Sequence, residues 1–110
     1  MASEHVFEAD DSSFEQEVIN SDLPTLVDFW GPSCGPCIAM LPMIEKLAAD
    51  HLGRLKVVKV NVEQSPGTAM KFAVRSLPTL MLVKQGKVID SFNGRPAPAG
   101  LEKFIKRAFD

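Results

Sequence analysis

Both cysteines of the chain, Cys34 and Cys37, lie between a predicted strand and a predicted helix. The apolar run before them, from Leu23 to Trp30, is typical of a buried strand. Apolar residues after them recur at helical spacing, at Ile38, Leu41, Ile44, Leu47 and Ala48. The pattern predicts that the strand leads into the helix through the cysteine pair, with Cys34 at or near the first helical turn.

A cysteine at the start of a helix has distinctive chemistry. The first N–H groups of the helix are unpaired and the helix dipole is positive there, so we expect a lowered Cys34 pKa. Pro36 lacks an N–H and suits an early helical position, while Gly35 lets another chain approach the sulfur. Cys37 follows one turn later, close enough to form a disulfide with Cys34. The arrangement indicates a reversible two-electron redox site.

Length and charge narrow the class of protein. A chain of 110 residues predicts one domain, residues 1–110, that can bury a core. The net charge of −2 and the absence of a long basic run predict no nucleic-acid partner. The polar, acidic segment 1–11 lacks the apolar core of a signal peptide, and no apolar run reaches the roughly 20 residues that span a bilayer. We therefore expect no membrane association and a cytoplasmic location.

The remaining elements follow from apolar periodicity and turn residues. Strands are predicted at Val6–Phe7, Leu23–Trp30, Leu55–Val62, Leu80–Val83 and Val88–Phe92. The first helix is predicted after a capping box formed by Ser12 and Glu15, and the second runs from Cys34 to about Leu52 with a kink at Pro42. Two further helices are predicted to begin after Ser65 and at Pro98. Because Gln85-Gly86 predicts a hairpin while the other strands need helical crossovers, the sheet should be mixed.

The Cys-Gly-Pro-Cys segment following Val-Asp-Phe-Trp resembles the thioredoxin family, and the resemblance extends over essentially the whole chain. It implies an α/β thioredoxin fold, with a central mixed five-stranded sheet flanked by four helices. It also implies a protein-disulfide reductase in which Cys34 attacks and Cys37 resolves the mixed disulfide. The implied partners are disulfide-containing proteins and a thioredoxin reductase. The resemblance implies no cofactor other than the redox-active disulfide between Cys34 and Cys37, and we expect a monomer.

Asp28 interrupts the apolar strand, so we predict that it is buried with a raised pKa. Taken alone, a buried Asp in a strand is more often a structural carboxylate bound by backbone donors. The resemblance implies instead that Asp28 lies beneath Cys37 and serves its proton transfers through water. It implies that Lys59, on the neighbouring strand, is its partner; a solvated strand lysine is the alternative.

The resemblance also implies a substrate groove. Pro78 matches the family's cis-proline, and the Leu77 backbone is implied to pair with an extended substrate segment. Without the resemblance, Pro78 is a strand-entry proline, Gly94 a turn glycine and Trp30 a core residue. The implied groove residues are Trp30, Ser33, Gly35, Pro36, Leu77, Pro78 and Gly94.

Three positions depart from the usual family pattern. Ser33 stands where a tryptophan is common before the first cysteine, and Ile38 stands where lysine or arginine is common after the second. Gly31-Pro32 replaces a pair that typically begins with alanine. Thiol chemistry needs neither a tryptophan nor a cation there, so these changes bear on the choice of reductase and substrates.

Four other types of function could use the same cysteine pair. A zinc site would need two ligands besides the cysteines, and His5 and His51 have no metal-ligand spacing. A cysteine protease would need a histidine base, and neither histidine is obviously placed for that. A thiol oxidase or isomerase would use the same fold, but the Gly-Pro pair resembles that of reducing thioredoxins. A thioredoxin-like binding module, or a dedicated redox partner, would explain why Ser33 and Ile38, at the rim of the implied substrate groove, depart from the family pattern.

Overall fold

A computed structural model describes residues 4–110, so the first three residues of the acidic N-terminal segment lie outside it. Within the described chain, five strands form one sheet in the order β1-β3-β2-β4-β5. Parallel pairing joins β1 to β3 and β3 to β2, whereas β2–β4 and β4–β5 are antiparallel, which confirms the mixed sheet. The strands are β1 Val6–Ala9, β2 Thr25–Trp30, β3 Lys56–Asn61, β4 Thr79–Lys84 and β5 Lys87–Asn93.

Residues 4–110 also form five helices, one more than expected, and a closing 3₁₀ turn, Lys106–Phe109. The helices are α1 Glu15–Ile19, which is π-helical, α2 Gly35–Ala39, α3 Leu41–Asp50, α4 Pro66–Lys71 and α5 Pro98–Ile105. The extra helix arises because the predicted Cys34–Leu52 helix is divided at Met40. Pro42 has no N–H to donate to the Ile38 carbonyl, and this is the physical reason for the predicted kink.

The first helix begins differently from the prediction. Asp10, rather than Ser12, organises the entry turn, because its Oδ1 accepts the N–H groups of Ser12 and Ser13 at 2.9 Å each. The Ser13 hydroxyl oxygen in turn accepts the Asp10 N–H at 3.0 Å. The reciprocal bonds of a capping box are therefore present, but between Asp10 and Ser13.

Helices cover both faces of the sheet, and each face carries its own apolar cluster. One cluster joins alternate strand residues to α3 and α5, and includes Leu26, Val57, Leu80, Leu82, Met40, Ile44, Leu101 and Ile105. The other joins the opposite strand faces to α1, and includes Val27, Phe29, Val58, Val60, Met81, Phe14 and Val18. The central strand β2 is therefore buried on both sides, as its continuous apolar sequence predicts.

The helices of residues 4–110 include none whose length and apolar character would allow it to cross a membrane.

Candidate active site

The loop between β2 and α2 holds the cysteine pair. Cys34 is the N-cap of α2, with an extended backbone at φ −91° and ψ 105°, as the sequence predicts. Its N–H donates to the Gly31 carbonyl at 3.0 Å, and its Sγ accepts the Cys37 N–H at 3.2 Å. The sulfur thus lies at the free N–H end of the helix, where the dipole favours negative charge.

The two sulfurs form a disulfide, with 5.2 Å between the Cα atoms. Their surroundings differ sharply: Cys37 has 0% of its surface exposed, whereas Cys34 is partly exposed. A thiol or disulfide from another molecule can therefore reach Cys34 but not Cys37.

Asp28 lies in the middle of β2 and is 0% exposed, as predicted. Neither of its carboxylate oxygens has a hydrogen-bond partner among the described residues. Burial raises the Asp28 pKa to about 7, and the positive charge of Lys59 opposes this rise. The site thus contains a carboxyl group that can take up or release a proton near neutral pH.

Lys59 lies directly opposite Asp28 in the β2–β3 register and is buried. Its Nζ lies 5.0 Å from the centre of the half-buried Trp30 ring, a cation–π distance. The lysine is therefore not the solvated strand residue of the alternative interpretation. It acts on Asp28 through its charge while it packs against Trp30.

The Leu77-Pro78 peptide bond is cis, and Pro78 leads directly into β4. The Pro78 carbonyl accepts the Gly94 N–H at 2.8 Å, which joins this turn to the end of β5. A Cβ atom on Gly31 would lie 3.2 Å from Leu77 Cδ1, so the cysteine loop contacts the same turn. The fold thus brings together three segments that are far apart in sequence.

Two glycines leave space around this site. A Cβ atom added to Gly35 or Gly94 would meet no atom of residues 4–110 within 4 Å. Gly94 also has φ +97°, a conformation that side-chain-bearing residues rarely adopt. Pro36 is exposed beside Gly35. The surface around Cys34 is therefore open to an approaching chain.

The rim residues that depart from the family pattern are both exposed. Ile38 is 45% exposed and places an apolar side chain beside the cysteines. Ser33 donates its hydroxyl to Glu63 Oε2 at 3.3 Å. Glu63 was not among the predicted site residues; it lies two residues after Asn61, the register partner of Trp30 at the ends of β3 and β2. This register exists only in the folded sheet, so no local sequence pattern indicates that the residues after Asn61 lie beside the cysteine loop.

The histidines do not join the cysteines in a metal site. His51 Nε2 lies 3.1 Å from Glu102 Oε2, and its ring stacks on Phe109 at 5.7 Å. His5 lies beside Glu4 just before β1, with 3.7 Å between its Nε2 and the Glu4 carboxylate. Among the residues that the structure describes, no three His, Cys, Asp or Glu side chains are grouped as metal ligands.

Comparison with known proteins agrees with this geometry. The family model for thioredoxin matches residues 5–107. The chain belongs to the thioredoxin family. Thioredoxin of Porphyra purpurea is 42% identical over 102 residues, which cover 93% of this chain and 95% of that protein. Thioredoxin 2 of Chlorobaculum tepidum is 47% identical over 88 residues, covering 80% and 81%. Thioredoxin of Pseudomonas aeruginosa is 42% identical over 103 residues, covering 94% and 95%.

Family membership and the Cys34–Cys37 disulfide together establish the type of activity. The protein is a disulfide oxidoreductase that works by dithiol–disulfide exchange, with the cysteine pair as its redox centre. Thioredoxins carry out this exchange without a separate cofactor. The expected thioredoxin fold is confirmed, with the division at Met40 as its one difference in helix number.

Proposed function

We propose that Cys34 is the attacking thiol and Cys37 the resolving thiol of a protein-disulfide reductase. The difference in exposure between the two sulfurs carries this assignment, because only Cys34 can be reached from outside. The disulfide seen here is then the oxidised form, which remains after a substrate has been reduced.

The exchange consists of two displacements. The Cys34 thiolate attacks one sulfur of a substrate disulfide, forms a mixed disulfide and releases the other substrate sulfur as a thiolate. The Cys37 thiolate then attacks Cys34 Sγ, which releases the second substrate sulfur and closes the Cys34–Cys37 disulfide. Two electrons pass from the protein dithiol to the substrate disulfide, and the released thiolates take up protons.

Asp28 is proposed to accept the proton that Cys37 must lose before it attacks. Asp28 is buried with no hydrogen-bond partner in the described part of the chain, and its pKa is about 7. Both features suit a group that exchanges protons near neutral pH. Lys59 is proposed to limit the rise of that pKa by its charge. Together they form the proton-handling part of the site.

The substrate is proposed to bind as an extended segment in the groove between the cysteine loop, the Leu77–Pro78 turn and Gly94. The contact of Gly31 with Leu77 and the hydrogen bond from Gly94 to Pro78 support this groove. The free Leu77 backbone would pair with the segment, as in the addition of a strand to a sheet. The groove residues would be Trp30, Ser33, Gly35, Pro36, Leu77, Pro78 and Gly94.

A separate thioredoxin reductase is proposed to restore the dithiol, because the sequence has no glycine-rich dinucleotide-binding loop. We further propose that the protein acts as a monomer in the cytoplasm. Exposed Ser33 and Ile38 favour a second possibility, in which the same chemistry serves a dedicated reductase or a narrow set of substrates.

Reduction of insulin disulfides tests the proposal, driven once by dithiothreitol and once by NADPH with a bacterial thioredoxin reductase. Activity under both conditions is expected of a general reductase. Activity with dithiothreitol alone would favour the dedicated partner. Inactivity under both conditions would contradict the reductase and favour a binding module.

A further inference from the structure

A carboxylate lies beside the reactive cysteine and has no part in the exchange described above. Glu63 is exposed in the turn after β3, and its Oε2 accepts the hydroxyl of Ser33, the residue before Cys34, at 3.3 Å. The same oxygen lies 3.5 Å from the Cβ position of Gly31. The Glu63 carboxylate therefore lies against the loop that carries Cys34.

The backbone around Glu63 is held in place by its own hydrogen bonds. The Glu63 N–H donates to Asn61 Oδ1 at 3.0 Å, and the Ser65 N–H donates to the Asn61 carbonyl at 2.9 Å. The Val62 N–H donates to the Trp30 carbonyl at 2.9 Å, which attaches the turn to β2. The carboxylate is thus presented at a defined place on the rim.

No cation among residues 4–110 forms an ion pair with this carboxylate within 4.0 Å. Lys59 lies over the Trp30 ring, and Ile38 places an uncharged side chain next to Cys37. Within the described chain, the Glu63 carboxylate therefore places a negative charge without a cationic partner on the side of the groove that the cysteine loop forms.

We propose that Glu63 is a specificity-determining residue that favours substrate disulfides flanked by lysine or arginine and disfavours those flanked by aspartate or glutamate. The inference rests on the proposed function, since it needs a substrate segment docked at Cys34. Residues next to the attacked cysteine then lie within reach of Glu63, closer than the screening distance of about 10 Å at 0.1 M salt. At about 6 Å in water, two unit charges change a rate by about three-fold.

Three disulfide-closed peptides test this proposal. They are identical except that the residue beside one cysteine is Lys, Gln or Glu. Single-turnover reduction by the pre-reduced protein is measured at low salt for wild type, Glu63→Gln and Glu63→Lys. Replacing Glu63 by Gln should slow the Lys peptide and speed the Glu peptide by about three-fold each, so that the Lys/Glu rate ratio falls about ten-fold. Glu63→Lys should lower that ratio further.

The ratio isolates the carboxylate from other effects. A change in Cys34 reactivity would alter all three rates by the same factor. Arg75, two residues before Leu77, and Arg95, which follows Gly94, are present in every variant, so they do not change the comparison. Asp22→Asn is the matched control, because it removes one exposed negative charge just before β2, at the end of that strand away from the cysteines. This variant should keep the wild-type ratio.

Two results would overturn the inference. One is a Lys/Glu ratio that is the same in wild type and Glu63→Gln; the other is a fall in the ratio that Asp22→Asn reproduces. Reduction of the Gln peptide shows separately whether the proposed function holds. If wild type reduces none of the peptides, the reductase assignment fails and the specificity fails with it.

Discussion

Asp28 shows how one buried side chain can combine a cost in stability with a role in chemistry. It is fully buried without a hydrogen-bond partner among residues 4–110, and its pKa is raised from 3.8 to about 7. The folded protein therefore holds a proton on Asp28 between these pH values, where the unfolded chain has lost it. By linkage, the contribution of Asp28 to stability falls as pH rises through this interval and is lowest above pH 7.

We predict that Asp28→Asn stabilises the oxidised protein in a pH-dependent way. The difference between a pKa of 3.8 and one of about 7 corresponds to roughly 4 kcal/mol of penalty at high pH. Urea unfolding of both proteins should therefore show a gap that widens by about that amount between pH 4 and pH 9. A gap that is equal at the two pH values would mean that Asp28 is not a buried titrating group.

The same variant should slow turnover if Asp28 takes the proton from Cys37. We expect insulin reduction to fall by roughly 100-fold or more, because general acid–base catalysis typically contributes about 10²- to 10⁴-fold. The rate should be measured at neutral pH, where the wild-type carboxyl group is partly ionised. Full activity in the stabilised variant would assign Asp28 a purely structural role.

Gly94 has a backbone conformation that favours glycine. Its φ of +97° and the open space around it mean that an added methyl group would strain the chain without a clash. We predict that Gly94→Ala lowers the free energy of unfolding by about 1–2 kcal/mol and weakens insulin reduction, because the strain falls on a groove wall.

Gly53 supplies the matched control for this prediction. It has φ +86° and equally open surroundings, but it lies after α3 and away from the groove. Gly53→Ala should lose similar stability while keeping its activity. If both variants lost activity equally, the groove assignment of Gly94 would have no support.

At the scale of elements, Asp11 connects two segments that are distant in sequence. Its Oδ1 accepts the Thr68 N–H and hydroxyl at 2.7 Å each, and its Oδ2 accepts the Gly67 N–H at 3.1 Å. These bonds cap the first turn of α4 and lower the Asp11 pKa, with the Thr68 hydroxyl as the largest cause. The ionised carboxylate therefore stabilises the fold more than the protonated group does.

We predict that Asp11→Asn destabilises the protein at neutral pH and that the difference shrinks in acid. Because the folded pKa is depressed, the contribution is complete above about pH 5 and declines below the unfolded value of 3.8. Thermal unfolding from pH 7 down to pH 2 would show this convergence, with Asp22→Asn as an exposed control. A difference that stays constant with pH would contradict the ionised cap.

The elements also show which local signals were sufficient for prediction. The apolar runs and turn residues predicted all five strands and the mixed sheet, because these patterns act within a few residues. The kink was predicted from Pro42, although the resulting count of five helices was not. The capping box was wrong because Asp10 and Ser12 both suit a cap, and only the folded turn decides between them.

At the scale of the whole molecule, the site is an assembly of segments joined by the sheet. The sequence predicted that Asp28 is buried, and the structure places Lys59 opposite it in the register. Glu63 was missed because its position depends on that register and on the bond to Ser33, 30 residues away. Long-range contacts of this kind leave no mark in a local sequence pattern.

The two sulfurs are proposed to act in a fixed order. Cys34 is the accessible sulfur of the pair, and Cys37 is enclosed by the protein. A protein that lacks Cys37 should therefore attack a substrate disulfide normally but have no thiol to complete the second displacement. A protein that lacks Cys34 should not begin the reaction.

The most direct measurement is covalent trapping with the two single serine variants. Pre-reduced Cys37→Ser and Cys34→Ser are incubated with insulin that retains its native disulfides. The adducts are quantified by mass spectrometry under non-reducing conditions. We predict a stable mixed disulfide between Cys34 and insulin in Cys37→Ser and essentially none in Cys34→Ser. Equal trapping by the two variants, or trapping through Cys37 alone, would contradict the assignment of Cys34 as the attacking thiol.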